Sequence, residues 1–275
     1  MVVVFMVAEV IAGVLTDSLA LISDAGHMAT DALGLGMALA AITAATKAGT
    51  GNNRTFGLYR LEILAALANA ILLFVVAGYV LYEAVLRLRN PAEVLSGPML
   101  VVALIGLGIN LLGWQLLREG ATESMNVEGA FLEVVADLVS SLAVVVAALI
   151  IWFTGWVYAD PILGAAIGLF ILPRAYRLGG KALRVLIQAA PENMDLPLLQ
   201  SRLAGIDGVT NIHDLHVWTL TSGMPVASVH LAARDDADRD QVMEHARRLL
   251  RDEFEVTHAT LQVERGADDC AELTW

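Results

Sequence analysis

The chain has 275 residues, 57% of them hydrophobic and only 17% charged, with a mean hydropathy of +0.66. An ordinary soluble domain uses about 45–50% apolar and about 25% charged residues, so this composition excludes one. Net charge is −12, and from Ala190 onward 16 acidic residues stand against 7 basic ones. Such an acidic last third argues against nucleic acid as a partner and suits a region that meets cations.

Six apolar segments follow in order, at residues 1–15, 18–45, 61–86, 98–117, 127–152 and 161–176. All but the first and last reach the length needed to cross a hydrocarbon core of ~30 Å. The first is either trimmed or continues through Asp17. No basic start leads to a small-residue cleavage site, so no signal peptide is expected. Polar, Gly- or Pro-containing stretches at 47–57, 90–98, 120–126 and 155–161 punctuate the spans. Lys47, Arg54, Arg60, Arg118, Arg174, Arg177, Lys181 and Arg184 flank one side, against Arg87 and Arg89 on the other. By the positive-inside rule both termini are expected to be cytoplasmic, and the cell (inner) membrane is the expected location. The single cysteine, Cys270, excludes an intramolecular disulfide.

The remainder reads as a small α/β domain. Residues 196–206 and 238–254 have helical spacing, and 209–220, 225–233 and 257–263 have the β-branching of strands. The first two strands join through Thr221-Ser222-Gly223 as a hairpin. The order αββαβ suits a sheet with helices on one face. About 80 residues are marginal alone, so pairing with a second copy is expected. The boundaries predicted are 1–180 for the membrane domain, 181–194 for a linker, 195–265 for the cytoplasmic metal-binding and dimerisation domain, and 266–275 for a tail.

Polar residues inside the spans carry the functional signal. Asp24, His27 and Asp31 stand at i, i+3 and i+7, on one face of the second helix. A carboxylate at mid-bilayer costs roughly 2.5–3.5 kcal/mol, so the stripe needs a partner, water or a cation. A single histidine satisfied by neighbouring helices would be unremarkable, but the fifth segment repeats the pattern with Glu133 and Asp137 at i and i+4. The two helices can converge His27, Asp31, Glu133 and Asp137 on one four-coordinate site of the kind zinc accepts. Glu9 and Asn110 are read as lining the same path, with Asp24 an accessory to it. Glu62 and Glu83, near span ends, are read as snorkelling or pairing with Arg60 or Arg87.

These residues resemble a known family. Asp17-Ser-Leu-Ala-Leu-Ile-Ser-Asp-Ala-Gly-His27 through Asp31 is similar to the second-helix signature of the cation diffusion facilitators. Phe56-Gly57 with Arg60-Leu61-Glu62 resembles the opening of their third helix, and Asn126-Val-Glu-Gly-Ala-Phe131 that of their fifth. His213-Asp-Leu-His-Val-Trp218 resembles the first strand of their cytoplasmic domain. The resemblance covers nearly the whole chain. It implies a homodimeric metal/proton antiporter with six transmembrane helices and a ferredoxin-like cytoplasmic domain. It also implies His213, His230 and Glu264 as cytoplasmic ligands, with His258 and Cys270 as further candidates. Strand alternation sends Asp214 and His216 to one face and His213 and Leu215 to the other, and these histidines could equally be strand-packing residues. His245 is read as solvated helix surface.

One departure bears on substrate. The family commonly carries His-x-x-x-Asp on both helices, whereas here the fifth reads Glu133-Val-Val-Ala-Asp137. One nitrogen and three carboxylates make a harder ligand set. Zinc is expected first as substrate and regulatory ligand, then cadmium and cobalt, with Glu133 setting the preference. No Walker-type stretch is present, so protons are expected to drive export. Rival readings are an intramembrane hydrolase with an Asp31/Asp137 dyad and a membrane-tethered metal sensor.

Overall fold

The computed structural model describes residues 2–48, 53–118 and 125–265. Six helices come first: α1 (Val2–Thr16), α2 (Leu19–Ala48), α3 (Arg60–Arg89), α4 (Ser96–Leu117), α5 (Met125–Thr154) and α6 (Ala159–Leu186). Five of these, α2 to α6, are long and apolar enough to cross a membrane, and α1 is shorter. Then come α7 (Leu196–Ala204), β1 (Val209–Thr221), β2 (Met224–Ala233), α8 (Arg239–Phe254) and β3 (His258–Arg265), in the expected αββαβ order. By internal contacts the chain divides into two units, Met1–Ala40 with Ala65–Gly179 and Ala41–Leu64 with Gly180–Trp275.

The helical unit packs through small side chains. Ala20, Ala103, Ala147, Ala148 and Ala175 are buried beside Leu73, Met99 and Ile171, which lets backbones approach closely where no hydrophobic effect drives association. A Cβ at Gly164 of α6 would stand 3.2 Å from the Ala20 nitrogen of α2, so this crossing tolerates little more than a hydrogen. Leu35, Leu116 and Phe153 point outward and are more than 70% exposed, as lipid-facing positions must be.

Two features not read from the sequence fix where α2 begins. Asp17 takes a left-handed backbone, φ 54°, which ends α1. Asp160, fully buried on α6, then accepts from the Ser18 hydroxyl at 2.6 Å and the Leu19 and Ala20 amides at 2.6 and 3.1 Å. It satisfies amides that a helix start leaves unpaired, from a different helix. Arg87 of α3 donates to the Asp17 carbonyl and carboxylate at 2.5 and 2.7 Å and forms an ion pair with Glu83 at 3.8 Å, the pairing anticipated for Glu83.

α6 runs ten residues beyond the apolar segment that signals it, entering the stretch expected as linker. Gly179 and Gly180 disfavour the added turns, but Arg177, Leu178, Lys181, Ala182, Leu183, Arg184 and Leu186 are good helix formers whose charge lowers hydropathy without breaking the helix. Gln188, at φ 60°, ends it, with the Ala189 amide returning to the Arg184 carbonyl at 2.9 Å.

In the α/β unit the sheet order is β1-β2-β3, antiparallel then parallel. Leu199 and Leu203 of α7 and Val242, Ala246 and Leu250 of α8 bury against Val217, Val229 and Leu231. The i, i+4, i+8 spacing on α8 makes one apolar stripe. Asp195 and Asp238 cap α7 and α8, accepting amides two or three residues on. Glu62, within this unit, accepts from Thr221 and Ser222 of the hairpin at 2.9 and 2.8 Å. The expected snorkelling or pairing with Arg60 is thereby corrected, because two hydroxyls at the hairpin offer the carboxylate better partners.

Candidate metal centres

The helical period brings His27 and Asp31 to one face of α2, one turn apart, where α5 presents Asp137. His27 Nε2 lies 3.6 Å from Asp31 Oδ2 and 3.6 Å from Asp137 Oδ1. One donor atom from each of the three residues falls within 4.8 Å of the others. The His27 side chain is 4% exposed, yet neither ring nitrogen makes a hydrogen bond, and Asp137 Oδ1 makes none either. Buried polar atoms are nearly always paired, so orphans gathered at one point mark a place built for something else. A neutral imidazole and two carboxylates carry −2, the charge a divalent cation neutralises.

Glu133 stands apart from this cluster. Its carboxylate is ion-paired with Arg174 of α6, which also reaches Asp31 at 3.1 Å. Glu133 and Arg174 are 38% and 34% exposed, and with His27 and Pro173 they line a cavity of about 580 Å³. From the sequence Arg174 reads only as a flank charge. Its position inside the sixth apolar segment was the signal that it faces something polar.

Asp24 is buried behind the cluster and does not share it. It accepts from Ser140 and, at 3.3 Å, from Ser141, while Asn110 donates to Ser141 at 3.1 Å. Ser140 Oγ also lies 3.1 Å from the Asp137 carbonyl oxygen. Asp24 and Asn110 thus belong to one buried hydrogen-bond chain linking α2, α4 and α5. Glu9, buried on α1, has one carboxylate oxygen without a hydrogen bond.

The sheet gathers a second cluster. His213 of β1 and His230 of β2 are cross-strand partners, with ring centroids 5.2 Å apart and planes at 80°. Glu264 of β3 is two residues beyond the partner of His230, on the same face, and reaches diagonally. Its oxygens lie 3.2 Å from His213 Nε2 and 3.1 Å from His230 Nδ1. Two imidazoles and a carboxylate on three strands form a donor set suited to zinc. Simple alternation fails here. The register shifts between His213 and His216, and Asp214 takes φ 50°, which brings its carboxylate to 3.9 Å from His230 Nδ1. A bulge inserts a residue and re-aims those that follow.

His258 lies outside this cluster and meets Phe56 edge-on, with centroids 5.8 Å apart. His216 and His245 are exposed. Cys270, the 266–275 tail and most of the 120–126 link fall outside the described residues.

Known proteins resemble the chain over nearly its whole length. The profile of the cation efflux transmembrane domain matches residues 1–187, and that of the cation efflux protein cytoplasmic domain matches 191–266. The metal cation efflux system protein CzcD of Cupriavidus metallidurans is 46% identical over 261 residues, covering 94% of this chain and 82% of its own. A cadmium, cobalt and zinc/H(+)-K(+) antiporter of Bacillus subtilis is 39% identical, covering 96% and 86%. Zinc transporter ZitB of Escherichia coli is 39% identical, covering 94% and 83%. With its long apolar helices the protein is integral to a membrane, and it belongs to the cation diffusion facilitator family.

Proposed function

We propose that this protein exports divalent transition-metal cations, zinc foremost, from the cytoplasm in exchange for protons. The observation that carries the reading is His27, buried and without hydrogen bonds at either nitrogen, between the carboxylates of Asp31 and Asp137. His27, Asp31 and Asp137 hold the metal, and Glu133 joins as fourth ligand when Arg174 releases it. Ligands must be deprotonated to bind metal, so protons and metal compete for the same groups and are exchanged there. Asp24 and Asn110 support the site from behind.

In this reading α1 to α6 all span the bilayer of the inner membrane, with both termini cytoplasmic. The αββαβ domain is ferredoxin-like, pairs with a second copy, and binds a regulatory divalent metal through His213, His230 and Glu264. Cadmium, cobalt and zinc in the relatives' names support the metal class, and the antiporter's name supports proton exchange. A hydrolase dyad of Asp31 and Asp137 fits less well, because an unpartnered imidazole stands between the two carboxylates.

Reconstituted vesicles with an imposed pH gradient and a panel of metals test the proposal. Zinc should move against the proton flow and stop when a protonophore collapses the gradient. Binding without flux would instead make the protein a membrane-tethered sensor.

A further inference from the structure

Arg174 is the one cation that touches the membrane cluster among the described residues, and its surroundings are specific. Its guanidinium bridges two carboxylates on two different helices, Asp31 of α2 at 3.1 Å and Glu133 of α5. Charge accounts for the pairing. His27, Asp31 and Asp137 suffice to neutralise a divalent cation, so Glu133 adds a surplus negative charge that Arg174 cancels. The same guanidinium also engages Asp31, a carboxylate within the cluster.

The mounting of Arg174 allows it to let go. Pro173 precedes it inside α6. Proline has no amide hydrogen, so the helix lacks the bond that residue 173 would make to the carbonyl of Leu169, and the ladder is weakened beside the arginine. The side chain is one-third exposed and borders the cavity it shares with His27 and Glu133, so it has room to move.

We infer that Arg174 is a tethered competitor for the transport site, holding the Asp31 and Glu133 carboxylates until an incoming metal displaces it. This rests on the reading of His27, Asp31 and Asp137 as the transport site. The arginine keeps the carboxylates from standing unpaired in lipid while the site is empty, and its return helps expel the metal. A planar guanidinium can serve two carboxylates at once, whereas a lysine ammonium is a point charge on a flexible stem.

Zinc titration of the detergent-purified full chain tests this, with His213→Ala and His230→Ala in every sample to silence the sheet cluster. Arg174→Gln should bind zinc about tenfold more tightly than the parent, the worth of one displaced ion pair, and Arg174→Lys should fall between. In vesicles Arg174→Gln should lower both KM and kcat, since a tighter site releases metal more slowly. Affinity equal to or weaker than the parent in Arg174→Lys, or in a folded Arg174→Gln, overturns the inference. Asp137→Ala keeps the two failures apart. If it leaves zinc affinity unchanged, the transport-site reading has failed and this inference falls with it. If it abolishes binding while the Arg174 variants bind no tighter, the reading stands and the competitor role alone is refuted.

Discussion

The helical bundle and the sheet assemble related donors on scaffolds of opposite stiffness. His27, Asp31 and Asp137 ride on two helices that meet only through side chains, with an arginine from a third helix intruding. His213, His230 and Glu264 ride on three strands tied by backbone ladders. When helices rock, distances between their side chains change, and such a site can bind and then release. Hydrogen-bonded strands cannot shift past one another without breaking the ladder, so a site across them holds its shape. On the proposed function the contrast is a division of labour, with the bundle cluster suited to release metal and the sheet cluster to hold it.

The strongest way to break this contrast is to remove a ligand from the bundle. Asp31→Ala or Asp137→Ala should cut vesicle flux by well over a hundredfold, because even outer-shell losses cost metal sites roughly 10–100-fold. Metal bound at the sheet should persist in the same samples. Flux at the wild-type rate in either variant would remove these residues from the transport path.

His213→Ala combined with His230→Ala probes the other side. Metal binding at the sheet should weaken by at least about a hundredfold, since two of three donors are gone. Transport at saturating metal should continue. Calorimetry that finds unchanged stoichiometry would exclude these histidines, and loss of all flux would mean that the sheet does more than hold metal.

The smallest effect sharpens the comparison by leaving both clusters alone. Asp238 accepts the Asp240 and Gln241 amides at 3.1 and 3.2 Å and holds the start of α8, which supplies no metal donor. Asp238→Ala should cost about 1 kcal/mol, read as roughly fivefold faster amide exchange in the first turn of α8. Metal binding at both clusters should be unchanged.

Local chemistry determined much of this protein from sequence alone. Six apolar segments, the αββαβ order, and His27 one turn from Asp31 follow from periodicity, which needs no knowledge of neighbours. Asp137 was legible for the same reason, as a carboxylate repeating that spacing on another apolar helix. The tertiary structure decided what distant elements do to one another. Asp160 looked like a loop residue until the packing of α6 on α2 placed it beneath three donors. Glu62 found hydroxyls 159 and 160 residues away rather than a neighbouring arginine. The bulge at Asp214 broke an alternation that any reader of the strand would assume. From the sequence Glu133 reads as a ligand and Arg174 as a flank charge, and their pairing across 41 positions arises only where α5 and α6 set them together. Helical and strand periods are properties of a few consecutive residues, whereas partners across helices depend on how whole faces pack, which no local pattern encodes.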